Sequence, residues 1–421
     1  MVVTAFRERA WLVHLWKPRE SSRARDDAVH ELEALARTAG VAIAGQVSFE
    51  VRYPSPALGM GKGQAEQVAQ QCQTQKLDVV LVDRDLKPMQ QRNLERLTGG
   101  KVIDRTGLIL DIFAQRAKSQ EGQLQVELAQ LSYLLPRLSG QGTGLSQMGG
   151  GIGTRGPGEQ KLEMDRRRIR YRMTVLRKAI EGVRRHRAIQ RESRREVPLS
   201  SVTLVGYTNA GKSTLLNRLT QAEVFTQDLL FATLDPTTRR ARLPRHGEVL
   251  LTDTVGFIQD LSIHLIAAFK ATLEEVAQAE LLLYVLDASH HAIEEHDRTV
   301  RKVLKDLGAD RIPHIVVLNK ADHLTQEDRV AMERKYPGSI ALSALTGEGC
   351  SALMVEIERR LEDRRLHVSV RIPYAETKVQ AMLHQFGTIE RESYEPQGID
   401  IDAWVDAKFA SRLKPYRQMA G

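Results

Sequence analysis

The run Gly206-Tyr207-Thr208-Asn209-Ala210-Gly211-Lys212-Ser213 is a complete GxxxxGK[ST] phosphate-binding loop. Three further stretches follow in order: Asp253-Thr254-Val255-Gly256, Asn319-Lys320-Ala321-Asp322 and Ser343-Ala344-Leu345. A phosphate loop alone implies some nucleotide. The ordered series implies a guanine nucleotide, a magnesium ion and a switch. The β-rich run Ser201-Val202-Thr203-Leu204-Val205 precedes the loop, and Lys212 to Leu219 has helical character. A strand that turns through glycines into a helix aims backbone N–H groups and the positive helix end at phosphate. A plain glycine turn is the bland reading, and the full match with its partners outweighs it.

Chemistry assigns the remaining roles. Lys212 neutralises the β- and γ-phosphates and the Ser213 hydroxyl ligates Mg²⁺. Asp253 ends the apolar run Val249-Leu250-Leu251-Thr252 at a strand tip, where open α/β sheets place ligands. Its carboxylate can hold the magnesium through water, while the Gly256 amide senses the γ-phosphate, an order–disorder switch. Asn319 to Asp322 follow the strand-like run His314 to Leu318. Guanine offers N1–H and N2–H₂ donors to the Asp322 carboxylate. Adenine lacks that pair, and a buried unpaired carboxylate would cost about 1–3 kcal/mol or more. Asn319 braces the loop, the Lys320 stem lies over the ring, and the Ala344 amide, beside Ser343, reaches O6. Many regulatory GTPases place Gln directly after the DxxG glycine to orient the attacking water. Here that residue is Phe257, so slow hydrolysis by the isolated chain is expected, with acceleration by a partner.

At 421 residues and 42% hydrophobic content, several domains with real cores are expected. No apolar run reaches the roughly 18 residues of a membrane span, and Met1 to Arg9 lacks a signal-peptide core. Acids interleaved among Arg7, Arg9, Arg19, Arg23 and Arg25 argue against a transit peptide. Two cysteines, Cys72 and Cys350, fit a reducing cytoplasm. The net charge of +8 is unevenly spread: residues 161–195 carry 14 Lys/Arg against Glu163, Asp165, Glu181 and Glu192. That segment alone supplies the whole basic excess.

The expected class is multidomain α/β. Residues 1–109 alternate helix-like and strand-like stretches: a helical face around Val29 to Ala36, a strand at Val41 to Val51, a helix at Gln64 to Gln75, a strand at Leu77 to Val82, a helix at Asn93 to Leu97, a strand at Lys101 to Asp104. Gly59-Met60-Gly61-Lys62-Gly63 lacks phosphate-loop spacing and reads as a tight turn before a helix. From Leu110 the period changes. Leu124, Leu128, Leu131, Leu135 and Leu138 have coiled-coil spacing, as do Ile169, Met173, Leu176, Ile180 and Val183. Between them, nine of the nineteen residues 140–158 are glycine. Residues 110–197 therefore read as a long antiparallel helical hairpin, each arm on the order of 40 Å, with a Gly-rich tip bearing Arg155. Its basic second arm, with Arg166, Arg167 and Arg168, repels itself unless a polyanion neutralises it. Only Tyr171 accompanies that charge, so backbone and shape contacts with nucleic acid are expected to outweigh stacking. Residues 198–365 form the GTP-binding (G) domain with a mostly parallel sheet, and 366–421 a small α/β appendage.

These residues resemble the HflX family of translational GTPases over nearly the full length. The likeness rests on Gly206 to Ser213 with Thr214, on Phe231-Ala232-Thr233-Leu234-Asp235-Pro236-Thr237-Thr238-Arg239, on Asp253 to Ile258, and on the tip Gly149 to Glu159. The resemblance implies binding to the large ribosomal subunit and its rRNA and splitting of stalled or idle ribosomes under stress. It further implies a hairpin that approaches the peptidyl transferase centre and hydrolysis stimulated by the subunit. It also implies that Thr233 is the switch threonine completing the magnesium shell, that Asn209 coordinates K⁺, and that Phe257 is the family's usual apolar residue. The chain is expected to act as a monomer. Competing readings are an NTP-driven remodeller of rRNA and a GTP-gated binding module for a membrane protease. The basic arm argues against the latter, because a protein partner does not need that charge.

Overall fold

The computed structural model describes residues 8–18, 20–138, 157–194, 199–220, 230–245, 247–259, 275–363 and 365–417. The expected Gly-rich tip, with Arg155, lies outside the described residues except at its final positions. The chain divides into two compact units. The first gathers Met1–Arg185, Gln227–Asp235 and Phe257–Thr272; the second gathers His186–Thr226, Pro236–Gly256 and Leu273–Gly421.

The first unit is built on a parallel sheet of order β2-β1-β3-β4, formed by β1 (Arg9–Trp16), β2 (Ala42–Glu50), β3 (Val79–Val82) and β4 (Lys101–Asp104). Helices α1 (Ser22–Thr38), α2 (Lys62–Gln75) and α3 (Pro88–Thr98) connect them. Gly61 is the N-cap of α2, the turn before a helix expected there. The sequence reading missed β1, although it is an inner strand of the sheet. Its RAWLVHLW run holds buried Ala10, Leu12, Val13 and Leu15, as a parallel strand covered on both faces requires, but buried His14 interrupts the apolar pattern. His14 Nε2 lies 3.3 Å from Gln46 Oε1, and its Nδ1 lies 3.7 Å from Asp83 Oδ2.

Helix α4 (Arg105–Arg116) starts ahead of the expected change of period at Leu110, because the Asp104 side chain caps it by accepting from the Gly107 amide at 2.8 Å. It ends before Ser119, whose hydroxyl accepts from Gly122 N at 3.0 Å and caps α5 (Gln120–Leu134). The leucines expected to form the seam of the first arm are only half-buried. The buried stripe of α5 is instead Glu121, Gln125, Val126, Ala129 and Tyr133. Tyr133 reaches past its own helix, donating its hydroxyl to Asp104 Oδ1 at 2.6 Å, and Arg137 stacks over its ring at 3.5 Å. The second arm fares better: on α6 (Pro157–Arg194), Met173, Leu176 and Ile180 are all buried. A bidentate pair from Arg172 to Glu127, at 2.7 and 2.8 Å, ties α6 to α5.

A segment from much later in the chain completes this unit. Leu230, Phe231 and Leu234 are buried, and the Phe231 ring meets Phe113 of α4 edge-on at 4.8 Å. The Leu230 amide donates to Thr38 Oγ1 at 3.3 Å. Asp235 then sits over the start of α5. Its carboxylate accepts from Lys118 N at 2.9 Å, from Ser119 N at 2.7 Å and from the Ser119 hydroxyl. A carboxylate at a helix N-terminus satisfies free amides and opposes the positive end of the helix dipole.

The second unit contains the six-stranded sheet β10-β9-β8-β5-β7-β6. Its strands are β5 (Ser200–Gly206), β6 (Thr237–Arg242), β7 (Glu248–Asp253), β8 (Leu281–Asp287), β9 (His314–Asn319) and β10 (Ile340–Ala341). All neighbours run parallel except β6, an antiparallel edge on β7. The apolar runs of β5 and β8 are buried through most of their length, as expected for strands covered on both faces. Helices α7 (Lys212–Thr220), α8 (Ile293–Asp306), α9 (Gln326–Lys335) and α10 (Cys350–Glu362) accompany this sheet. Next comes an antiparallel sheet of order β11-β13-β12, from β11 (Leu366–Ile372), β12 (Thr388–Glu395) and β13 (Gly398–Val405), with α11 (Thr377–Phe386) and α12 (Ala407–Arg412). Its core is Val368, Val370, Ile372, Ile399, Ile401, Val405 and Phe409, with Leu383. The Ser200 hydroxyl donates to Asp406 at 2.9 Å, joining this layer to the first strand of the larger sheet.

Replacing Asp235 with Ala removes three bonds to a carboxylate at a helix start. The expected cost is about 2 kcal/mol, read as a lower urea midpoint and faster hydrogen exchange at the Ser119 amide. An unchanged exchange rate there would show that the cap does not hold α5.

Candidate nucleotide-binding site

The phosphate loop runs from the C-terminal tip of β5, an inner strand where chain connections leave to either side, into the start of α7. Open parallel sheets bind ligands at such a point. The loop needs its two glycines for space. A Cβ on Gly206 would collide with the Val285 carbonyl, and one on Gly211, at φ +87°, with the Asn319 side chain. Asn209 also takes a left-handed backbone, at φ +58°, a conformation Asn tolerates better than most residues.

Lys212 is buried, and its ammonium donates to the carbonyls of Tyr207 at 2.7 Å and Gly206 at 3.2 Å. Burial pushes its pKa down to about 8, with Asp253 pulling the other way. A cation stripped of water in this way favours an anionic partner. The Ser213 hydroxyl donates to Asp253 Oδ2 at 2.6 Å. That places a hydroxyl and a buried carboxylate together, hard oxygen donors of the kind Mg²⁺ takes. Asp253 is positioned by β7, and next to it the Thr254 hydroxyl donates to the Leu204 carbonyl at 2.7 Å. Gly256 comes so near the phosphate loop that a Cβ there would lie 2.6 Å from Thr208 Cα. Thr214 is half-buried in the first turn of α7.

The loops expected to recognise the base are joined through one side chain. Asn319, at the end of β9, donates from Nδ2 to the Ala210 carbonyl at 2.8 Å, and its Oδ1 accepts from the Ala344 amide at 2.9 Å. It thus braces three segments rather than one. Lys320, at φ +62°, pairs with Asp287 at 2.7 Å, and the Ala321 amide donates to the Leu342 carbonyl at 3.1 Å. A hydrogen bond with Ser343 holds the Asp322 carboxyl below the usual range, so it is ionised at neutral pH. Asp322 is exposed. The penalty for leaving it unpaired therefore arises only when a base covers it. Ser343 itself is fully buried, and its hydroxyl accepts from the Thr346 amide at 3.1 Å.

Phe231 and Thr233 belong to the first unit, with the ring of Phe231 engaged by Phe113; the other nucleotide-site candidates fall in the second. Phe257 also falls in the first unit and is buried. Arg166 is partly buried on α6, whereas Arg167 and Arg168 are exposed. Three second-unit contacts escaped the sequence reading. Tyr207 stacks flat on His296 at 3.7 Å. Burial and neighbouring His290 depress the His296 pKa to about 3, so the stack is between neutral rings. Arg218, two turns into α7, donates to the Ala344 and Leu345 carbonyls and fastens the loop bearing Ala344. Asp287, at the end of β8, accepts from the Ser289 amide and hydroxyl as well as from Lys320. No local motif marks His296, Arg218 or Asp287; each is identified by where a strand or helix brings it.

Comparison with known proteins follows the same lines. A family model described as GTP-binding GTPase N-terminal matches residues 26–114, one described as GTP-binding GTPase Middle Region matches 116–194, and one described as 50S ribosome-binding GTPase matches 201–320. A protein named GTPase HflX from Alkalihalophilus pseudofirmus is 47% identical over 393 residues, 92% of each chain. Its namesake from Escherichia coli K12 is 44% identical over 393 residues, 93% of this chain and 92% of the relative. A GTP-binding protein from the archaeon Sulfolobus solfataricus, solved in complex with GDP, is 23% identical. It covers 84% of this chain and 98% of its own, with a TM-score of 0.46.

Replacing Asn319 with Ala leaves the Ala210 carbonyl and Ala344 amide without their tie. GDP affinity is expected to fall at least about tenfold, measured by calorimetry, with thermal unfolding as the control for fold. Affinity within twofold of the parent would show that the brace is dispensable.

Proposed function

This chain belongs to the HflX family of GTPases and hydrolyses GTP, and from that premise we propose that it acts on the large ribosomal subunit and separates stalled or idle ribosomes. The observation that carries this reading is the exposed basic surface of α6. Along its described length Met173, Leu176 and Ile180 are buried, while Arg167, Arg168, Arg170, Arg172 and Arg177 are exposed. Among these five, Arg172 pairs with Glu127 and Arg168 with Asp165. Such a rod suits the phosphate backbone of rRNA, which binds through counterion release and favours arginine forks. The match of residues 201–320 to the 50S ribosome-binding GTPase family supports the same reading.

In this reading the second unit binds the nucleotide. Lys212 leaves the loop carbonyls for the phosphates, Asp322 accepts from the guanine edge, and the Ala344 amide donates to O6. Ser213 and Asp253 would hold a magnesium ion, which supplies charge neutralisation on the phosphates when bound. Phe257 offers no polar atom to orient water, so turnover is slow until the ribosome is engaged. No helix of the described residues is long and apolar enough to cross a membrane, and we place the protein's work in the cytoplasm.

Two outcomes test this. Ribosome sedimentation with the protein and a non-hydrolysable GTP analogue is expected to move 70S particles into subunits. Changing Arg166, Arg167 and Arg168 to Ala should weaken that association and flatten its salt dependence by about one logarithmic unit per lost phosphate contact, with GDP affinity unchanged. Splitting that survives the triple change at elevated salt would sink the role given to α6. Separately, Asp322→Asn should turn preference from guanine to xanthine nucleotides, since the amide can donate where the carboxylate only accepts. Retained GTP selectivity would remove Asp322 from base recognition.

A further inference from the structure

Thr208 holds the third position of the phosphate loop, and the residue is only 6% exposed. Its hydroxyl is buried and has no hydrogen-bond partner among the described residues. Other hydroxyls of the candidate site are engaged. Ser213 donates to Asp253, Thr254 to the Leu204 carbonyl, and Ser343 accepts from Thr346. A buried hydroxyl left alone is costly, and such groups in folded proteins call for an explanation.

The placement of Thr208 supplies one. A Cβ built on Gly256 would lie 2.9 Å from Thr208 Cγ2 and 2.9 Å from its backbone nitrogen. The methyl branch of Thr208 therefore packs on the glycine whose amide senses the terminal phosphate, which leaves the hydroxyl on the other branch. A residue that belongs to the phosphate loop and touches Gly256 stands at the γ-phosphate end of the site. The residue after Gly256 is Phe257, which cannot hold water.

We propose that the Thr208 hydroxyl is a catalytic group for GTP hydrolysis, which donates to a γ-phosphate oxygen and accepts from the attacking water. The water oxygen forms the new bond to the γ-phosphorus as the bond to the β–γ bridging oxygen breaks. GDP leaves with that oxygen, the water proton passes to the phosphate, and Thr208 keeps its own proton. The hydroxyl orients water where Phe257 cannot, and its bonds tighten as charge shifts in the transition state. This rests on the GTPase activity alone and is independent of any ribosomal partner.

The test is single-turnover GTP hydrolysis by the isolated full-length chain, with GDP affinity measured alongside. Thr208→Val keeps the shape and removes the hydroxyl. Its rate constant is expected to fall about tenfold or more while GDP affinity stays within about twofold. Thr208→Ser and Thr208→Ala both lose the methyl and differ only in the hydroxyl, so their ratio isolates it whether or not the Val variant folds. Ser is expected to be at least about tenfold faster than Ala. Equal rates for Ser and Ala would overturn the proposal. So would a parallel loss of GDP affinity in Val and Ser, which would mark Thr208 as loop packing.

Discussion

One amide side chain ties the candidate nucleotide site together. Asn319 holds the phosphate loop through the Ala210 carbonyl and the base-side loop through the Ala344 amide. Gly211 is glycine because that same side chain occupies the space a Cβ would need. Around this tie, Arg218 fastens the carbonyls of Ala344 and Leu345, and Arg329 links the Ala321 carbonyl to Glu348. The phosphate end and the base end are thereby held at a fixed spacing. A preformed site of this kind avoids part of the ordering cost that binding would otherwise incur.

The larger sheet was legible because its strands are apolar runs that end in chemistry. Val249 to Thr252 leads to Asp253, and His314 to Leu318 leads to Asn319, so strand ends and motifs locate each other. The edge strand Thr237–Arg242 was not foreseen, since TTRRAR has one buried residue and no apolar alternation. Strand β1 of the first unit was missed for the opposite reason, a buried His14 within an apolar run. On the helical arms, leucine spacing named the wrong stripe for α5. Glu121 and Gln125 are buried there and bonded to each other at 3.1 Å, and pattern reading assigns such residues to solvent.

Within the site, motif residues were legible and their supports were not. Lys212, Ser213, Asp253, Asn319 and Asp322 stand at positions fixed by loop spacing. Tyr207 on His296, and Asp287 under Lys320, depend on which helix or strand end comes near. Asp322 illustrates the difference. Its identity was readable, but its ionisation is held by Ser343, which lies on another loop.

The cap that Asp235 places on α5 has a consequence for synthesis. Ser119 and Asp235 are 116 residues apart, so the first unit is discontinuous along the chain. The three family models that match the sequence as successive blocks do not coincide with the pieces that pack together. As the polypeptide emerges, the N-terminal layer presents Phe113 and Thr38 before the residues that cover them exist. Closing so long a loop is entropically slow. A fragment cut before residue 227 therefore lacks part of the first unit's own core.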